Sequence, residues 1–219
     1  WDFNMDAYRP FWKTQYFYND LNQLTTAFHF WGVDTSWTDY RRVTYEYDSN
    51  GNELTQLVER WKTVDSEWEN ASLRTRSYDD NDQLLTQLDQ NWEDDDWKNG
   101  SNNFYSYQNG VLVEYIHQLW KQNILDWENT TLFNYEYEYF QNGTTLKKQT
   151  DYFYKWEDEE WVLRSRSIDE FDTAQNYIIG ISQNWDAEAE EWINKYRTNN
   201  EYDQEGNILQ ELDHSWDLQ

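Results

Sequence analysis

Pairs of tryptophans recur along the chain, five to seven residues apart, and amides stand two residues outside them. Gln90, Trp92, Trp97 and Asn99 form one such set; Gln118, Trp120, Trp127 and Asn129 form another; Trp68 and Asn70 are the outer half of a third. Residues two apart share one face of an extended strand, so each set presents indoles flanked by amides. Indole rings stack on sugar rings, and amides donate and accept toward hydroxyls. A glycan is the ligand this chemistry fits, and these ten residues are the candidate binding set. The same residues have a structural reading, in which indoles pack on one another and amides form ladders along the sheet.

Other chemistry is sparse. Of the three histidines, His29 and His214 lie two residues before a tryptophan, a position filled elsewhere by Glu59, Gln90, Gln118, Tyr154 and Gln183, and His117 stands apart. A ladder position explains the first two better than a base would. There is no GxSxG, phosphate loop, HExxH or cysteine nucleophile, so no catalytic residue is assigned and the chain reads as a non-enzyme. No metal ligand or cofactor is assigned either. Calcium is the one ion worth weighing, because Asp48-Ser49-Asn50-Gly51-Asn52-Glu53 and Asp79-Asp80-Asn81-Asp82 alternate oxygen donors; both stretches also read as turns.

Composition bounds the partners. With 43 acidic and 17 basic residues the formal charge is −26, which argues against nucleic acid and anionic membrane surfaces. No stretch is long and apolar enough to insert as a membrane helix. Few aliphatics and high charge usually predict disorder, but 15 Trp and 18 Tyr supply large flat surfaces with polar handles. The partners this leaves are a polysaccharide or another copy of the chain.

The elements that position the candidates follow from a repeat. Trp1, Trp31, Trp61, Trp92, Trp120, Trp156, Trp185 and Trp216 mark a period of about 30 residues. Trp37, Trp68, Trp97, Trp127, Trp161 and Trp192 follow, with Tyr8 in that place at the start. Ten residues further stands an aromatic: Tyr18, Tyr47, Tyr78, Tyr107, Tyr137, Phe171 or Tyr202. An even spacing places this aromatic on the face of the second Trp. Turn residues such as Asp48-Ser49-Asn50-Gly51 come next, so each repeat is a hairpin.

The fifth repeat is longer by three residues on both sides of its turn, as a lengthened hairpin would be. The expectation is an all-β fold: residues 1–219 as one array of about seven hairpin units (1–30, 31–60, 61–91, 92–119, 120–155, 156–184, 185–219). Its tandem hairpins of about 30 residues would form a long antiparallel meander of about 14 strands that curls, coils superhelically or closes. Turns are expected near residues 50, 80, 109, 142, 173 and 205, with returns between paired tryptophans. Pro10 marks the first strand as an edge. A start at Trp1 and a stop just after Trp216 suit a fragment of a longer chain.

The run Tyr45-x-Tyr47-Asp48-x-x-Gly51-x-x-Leu54, echoed at Tyr202-Asp203-x-x-Gly206-Asn207-x-Leu209, resembles the YD repeat of Rhs-type and teneurin-type proteins. It is closer still to Trp-rich YD-like arrays of secreted bacterial surface proteins. The sixth repeat departs from the motif, reading Phe171-Asp172-Thr173-Ala174 without glycine. The resemblance implies a bacterial, secreted or cell-surface repeat region and no catalytic residue. A non-catalytic scaffold or adhesin is therefore the expected function. The alternatives are a carbohydrate-binding module using the Trp, Asn and Gln face, and a fragment of a toxin-encapsulating shell.

Overall fold

The computed structural model describes residues 12–33 and 36–216. Fourteen strands are found among them: β1 (Trp12–Tyr18), β2 (Leu24–Val33), β3 (Ser36–Tyr47), β4 (Glu53–Lys62), β5 (Glu67–Tyr78), β6 (Leu84–Glu93), β7 (Asp96–Gln108), β8 (Val111–Lys121), β9 (Asp126–Tyr139), β10 (Leu146–Glu157), β11 (Glu160–Phe171), β12 (Tyr177–Asp186), β13 (Glu191–Tyr202) and β14 (Ile208–Ser215). They follow one another in sequence order in one antiparallel meander, with β1 and β14 as its outer members. The chain divides into two compact halves, Trp1–Asn102 and Asn103–Gln219, parting inside β7. The expected strand number, turn positions and return positions are those observed among the described residues. An additional turn lies at Asn19–Gln23. Trp1, Tyr8 and Pro10 lie outside the described residues.

Five hairpins share one turn, and its design explains the Asp of the motif. The first turn residue is Asn19, Asp48, Asp79, Asp172 or Asp203, and its Oδ1 accepts the backbone N–H groups two and four residues on at 2.8 to 3.0 Å. Such Asx bonds close the chain on itself. The fourth residue has positive φ in every case: Asn22, Gly51, Asp82, Gln175 and Gly206. The side-chain acceptor is thus kept where the glycine is not. The fifth hairpin carries its turn outward as its symmetric insertion predicts, β9 running for 14 residues and β10 for 12.

In four repeats the motif's tyrosine fastens the hairpin to the one before. Tyr47 donates its hydroxyl to Leu24 O (2.8 Å), Tyr78 to Glu53 O (3.0 Å), Tyr137 to Leu112 O (2.9 Å) and Tyr202 to Tyr177 O (2.9 Å). Phe171 has no hydroxyl to offer. In that repeat Gln175, from the turn, donates Nε2 to Leu146 O at 2.7 Å, so the carbonyl is still satisfied.

One expectation about faces is overturned. The register of five return pairs shifts at one residue: Tyr40, Ala71, Thr130, Arg164 and Lys195 are extra residues with no partner across the ladder. Each stands three after the second Trp of its repeat. Gly100 occupies that place in β7, and a Cβ there would lie 3.0 Å from Asp89 O. A β-bulge resets the alternation: Glu59 faces Asn70, yet Val58 faces Ser72. The even spacing therefore does not put Trp68 and Tyr78 on one face; the bulge moves the tyrosine to the other side, with Val58.

Cores are thin, as expected of a single layer. On the tyrosine side of the N-terminal half Ala27, Val43 and Val58 are buried, with Tyr45 and Ala71 packed on them. In the C-terminal half the same side carries Tyr105, Tyr115, Phe133 and Phe153, linked by ring contacts of 5.1 to 6.1 Å. Tyr115 donates to the buried Asn103 Oδ1 at 2.7 Å.

Candidate binding faces

The tryptophan side places every candidate near a return. In the N-terminal half Trp61 stands directly opposite Trp68, with ring centroids 5.3 Å apart at 67°, and Trp92 and Trp97 are 5.0 Å apart at 71°. Edge-to-face packing suits the ring quadrupoles. The Arg42 guanidinium lies 4.9 Å over Trp68 and is held there by a bidentate pair with Glu59 at 2.5 Å. Gln90 donates to Asn99 at 3.0 Å. Pairing between β5 and β6 ends at Ser72 and Asn91, so adjacent returns part. Trp68, Asn70 and Trp92 line the cleft between them, about 220 Å³, beside Lys62, Glu69 and Asp95.

The C-terminal half repeats the arrangement. Trp120 faces Trp127 at 5.3 Å and Gln118 donates to Asn129 at 2.8 Å. Trp185 faces Trp192 at 5.0 Å and Gln183 donates to Asn194 at 2.6 Å. Trp156 and Trp161 are 4.9 Å apart. Eight of the ten candidates thus make indole pairs and amide pairs with one another, while Trp68 pairs with Trp61 and Asn70 stands opposite Glu59. The indoles of these pairs are half-buried, and each paired amide keeps hydrogen-bonding capacity beyond its one partner.

Two histidines sit on threonines, and His214 stands opposite Arg197. His29 lies 3.1 Å from Thr14 Oγ1, and burial, then the Arg41 charge, pushes its pKa down; His117 lies 2.5 Å from Thr130 Oγ1. At the first turn weighed for calcium, Asp48 Oδ1 accepts two backbone N–H groups and Oδ2 accepts Asn52 Nδ2 at 2.9 Å. Asn50 and Asn52 also reach Asp82 Oδ1, at 2.8 and 2.6 Å. These contacts are those of a hairpin turn.

Two features lie outside the candidate set. On the tyrosine side of the C-terminal half, burial pushes the Asp151 carboxyl up, opposed by a hydrogen bond from Gln149 and aided by the Asp169 charge, while burial pushes Tyr135 and Tyr177 up to about 12. Tyr177 donates to Asp169 at 3.2 Å over Gly180, where a Cβ would collide with the phenol oxygen. In the N-terminal half Trp12, the one tryptophan out of frame with the repeat, stands opposite Trp31 and 5.3 Å from Tyr40. Its phase was the available signal. The diagonal placing of Asp151 and Asp169, opposite Ser167 and Gln149, depends on strand register, and no local motif announces it.

No family model matches the chain, and no curated protein does. Among solved structures, a protein of unknown function from Bacteroides fragilis aligns over 73% of this chain and 91% of its own, at 9% identity and a TM-score of 0.37. A DUF3836 family protein from Bacteroides vulgatus aligns over 55% of this chain and 92% of its own, at 12% identity and a TM-score of 0.31. A crystal structure of TcdB2-TccC3 aligns over 92% of this chain and 16% of its own, at 11% identity and a TM-score of 0.20.

Proposed function

We propose that the chain is a non-catalytic β-repeat scaffold displayed outside a bacterial cell, with adhesion as its task. The observation that carries this reading is that the groups each repeat restates are engaged with one another. Indole meets indole, glutamine meets asparagine, and tyrosine meets the preceding hairpin. Such positions multiply a framework rather than build one reactive centre. The acidic surface and the YD-like motif support an extracellular setting. Antibody raised against the purified chain should label intact source cells, and beads coated with the chain should adhere to host or neighbouring cells. Labelling only after lysis would overturn the location, and turnover of glycan substrates would overturn the non-catalytic reading.

A second reading, carbohydrate binding, is favoured by the cleft of Trp68, Asn70 and Trp92, where half-open indoles and an amide face the same space. A glycan array probed with the intact chain tests it. Hits lost in Trp92→Ala support it, and an array without hits leaves the scaffold alone.

A further inference from the structure

The arginines of this acidic chain are nearly all spoken for. Among the described residues, Arg42, Arg74, Arg76 and Arg164 are ion-paired with Glu59, Asp89, Glu53 and Glu157. Arg166 and Arg197 bond to Gln183 and Asn199. Arg41 and Arg60 have no hydrogen-bond or ion-pair partner among the described residues, and they stand directly opposite each other on β3 and β4. Like charges across a ladder repel. With 43 carboxylates in the sequence, an unneutralised arginine pair calls for an external anion. Glu69, which faces Arg60 on its other side, is taken by Lys62 at 2.5 Å.

The two arginines line a cavity of about 320 Å³ with Tyr40, Ser72 and Asn91. The Ser72 hydroxyl and Asn91 amide likewise have no bonded partner among the described residues. Tyr40 is 50% exposed and packs against Trp12, itself 52% exposed, so an open aromatic platform borders the cations. The C-terminal half holds the corresponding place: Phe153, Lys155, Arg164, Ser165 and Asn184 surround a cavity of about 560 Å³. There the position is supplied with a carboxylate of the protein's own, because Glu157 is ion-paired with Arg164.

We infer that the Arg41–Arg60 cavity is a binding site for the carboxylate of an acidic saccharide. The planar guanidinium fork matches a carboxylate, Ser72 and Asn91 match ring hydroxyls, and Tyr40 with Trp12 offers stacking area for an adjacent sugar. Phosphate or sulfate would use the cations but leave the platform idle. The site is separate from the Trp68–Trp92 cleft, and its failure leaves the scaffold reading standing.

The test is calorimetric titration of the whole chain at neutral pH with a trigalacturonate, beside neutral galactotriose and inorganic sulfate. Binding of the uronate, weakened at least about tenfold in Arg41→Gln/Arg60→Gln and severalfold in Tyr40→Ala, is expected. Galactotriose should bind far more weakly, and sulfate should not compete at millimolar concentration. Removing the like charges should leave the Tm unchanged or raised, so a folding defect cannot mimic lost binding. Uronate binding that survives the double substitution overturns the site. Equal binding of inorganic sulfate overturns the carboxylate class, and self-association lost in the double variant makes the ligand a second copy's acidic loop.

Discussion

At the turn end of a hairpin the loop closes on hydrogen bonds: an Asx acceptor, a positive-φ fourth residue and a tyrosine reaching back to the previous repeat. At the return end it closes on hydrophobic contact. Asp94 and Asp95, and again Asp158 and Glu159, occupy the left-handed region in succession, with φ between 49 and 65°. Neither pair contains the glycine that a two-residue turn of this kind favours, and neighbouring carboxylates repel. The other described returns are longer, with one left-handed residue each at Ser66, Leu125 and Glu190. What stays constant in these five returns is the facing indole pair; between β2 and β3, Trp31 is opposite Thr38 and Trp37 opposite Gly32. The loops vary because the tryptophans, not the loops, hold the strands together.

That contrast fails first if the indoles are dispensable. Trp97→Ala should lower stability by about 2 to 4 kcal/mol, toward the low side of the range for fully buried aromatics because the ring is half-buried. Urea melts would read this. A loss under about 1 kcal/mol would transfer the weight of the return end to its loops and favour binding as the reason for the indoles. A double-mutant cycle on Trp120 and Trp127 should give a coupling of about 0.5 to 1.5 kcal/mol.

The tyrosine latch sharpens the other side of the comparison. Tyr78→Phe should cost about 1 kcal/mol, the net worth of a hydrogen bond. Gln175→Ala should cost a similar amount only while residue 171 is phenylalanine. Restoring the hydroxyl with Phe171→Tyr should make Gln175→Ala nearly neutral. Equal losses in both backgrounds would show that Gln175 acts in its own turn and not as the substitute latch.

Much of this division was legible in the sequence because it is periodic. Fourteen tryptophans in phase, a turn signal after each aromatic and symmetric lengthening of the fifth repeat fixed strands, turns and five facing indole pairs, but not Trp31 and Trp37. The bulge was not legible. Tyr40, Ala71, Thr130, Arg164 and Lys195 share a position but no chemistry, and a one-residue register shift leaves no mark in composition. Only Gly100 hinted at it. The candidate indoles and amides were therefore placed on their correct side near the return, while the tyrosine beyond the bulge was placed on the wrong one. The Arg41–Arg60 pair escaped for a related reason: opposition across strands depends on register, and each arginine alone looks like an ordinary solvated cation.

Relief of return-loop strain has a smaller expected effect. Left-handed φ costs a non-glycine residue about 1 to 2 kcal/mol, while glycine loses about 0.5 to 1 kcal/mol more backbone entropy than alanine on folding. Glu159→Gly should therefore stabilise by about 0.5 to 1 kcal/mol and remove one repelling charge. A destabilised variant would mean that Glu159 makes contacts outweighing its backbone cost.

The weakest effect is also the most specific to the turn end, and it appears only in acid. Hydrogen bonds from the Asn52, Asn176 and Asn207 side chains hold the Asp48, Asp172 and Asp203 carboxyls below their usual range, and the backbone N–H of Gln83 does the same for Asp79. A folded pKa below the unfolded one contributes stability that is complete above the unfolded value, about 3.9 for Asp, and lost as pH falls through the folded value. Asp151 works the other way, since burial raises it: the folded chain takes up its proton first, so stability rises as pH falls from its folded pKa toward the ordinary range. Relief of the −26 charge adds to that rise. Tm should climb as pH drops toward the ordinary carboxyl range and fall below it. Asn19 already performs the turn role without a titrating group, its Oδ1 accepting from Leu21 and Gln23 at 3.0 and 2.9 Å. The quadruple variant Asp48→Asn, Asp79→Asn, Asp172→Asn, Asp203→Asn should accordingly keep its neutral-pH fold and lose the acid limb. An acid limb as steep as before would place the acid-labile bonds away from the turns, and the hydrogen-bonded end of the hairpin would lose its distinguishing role.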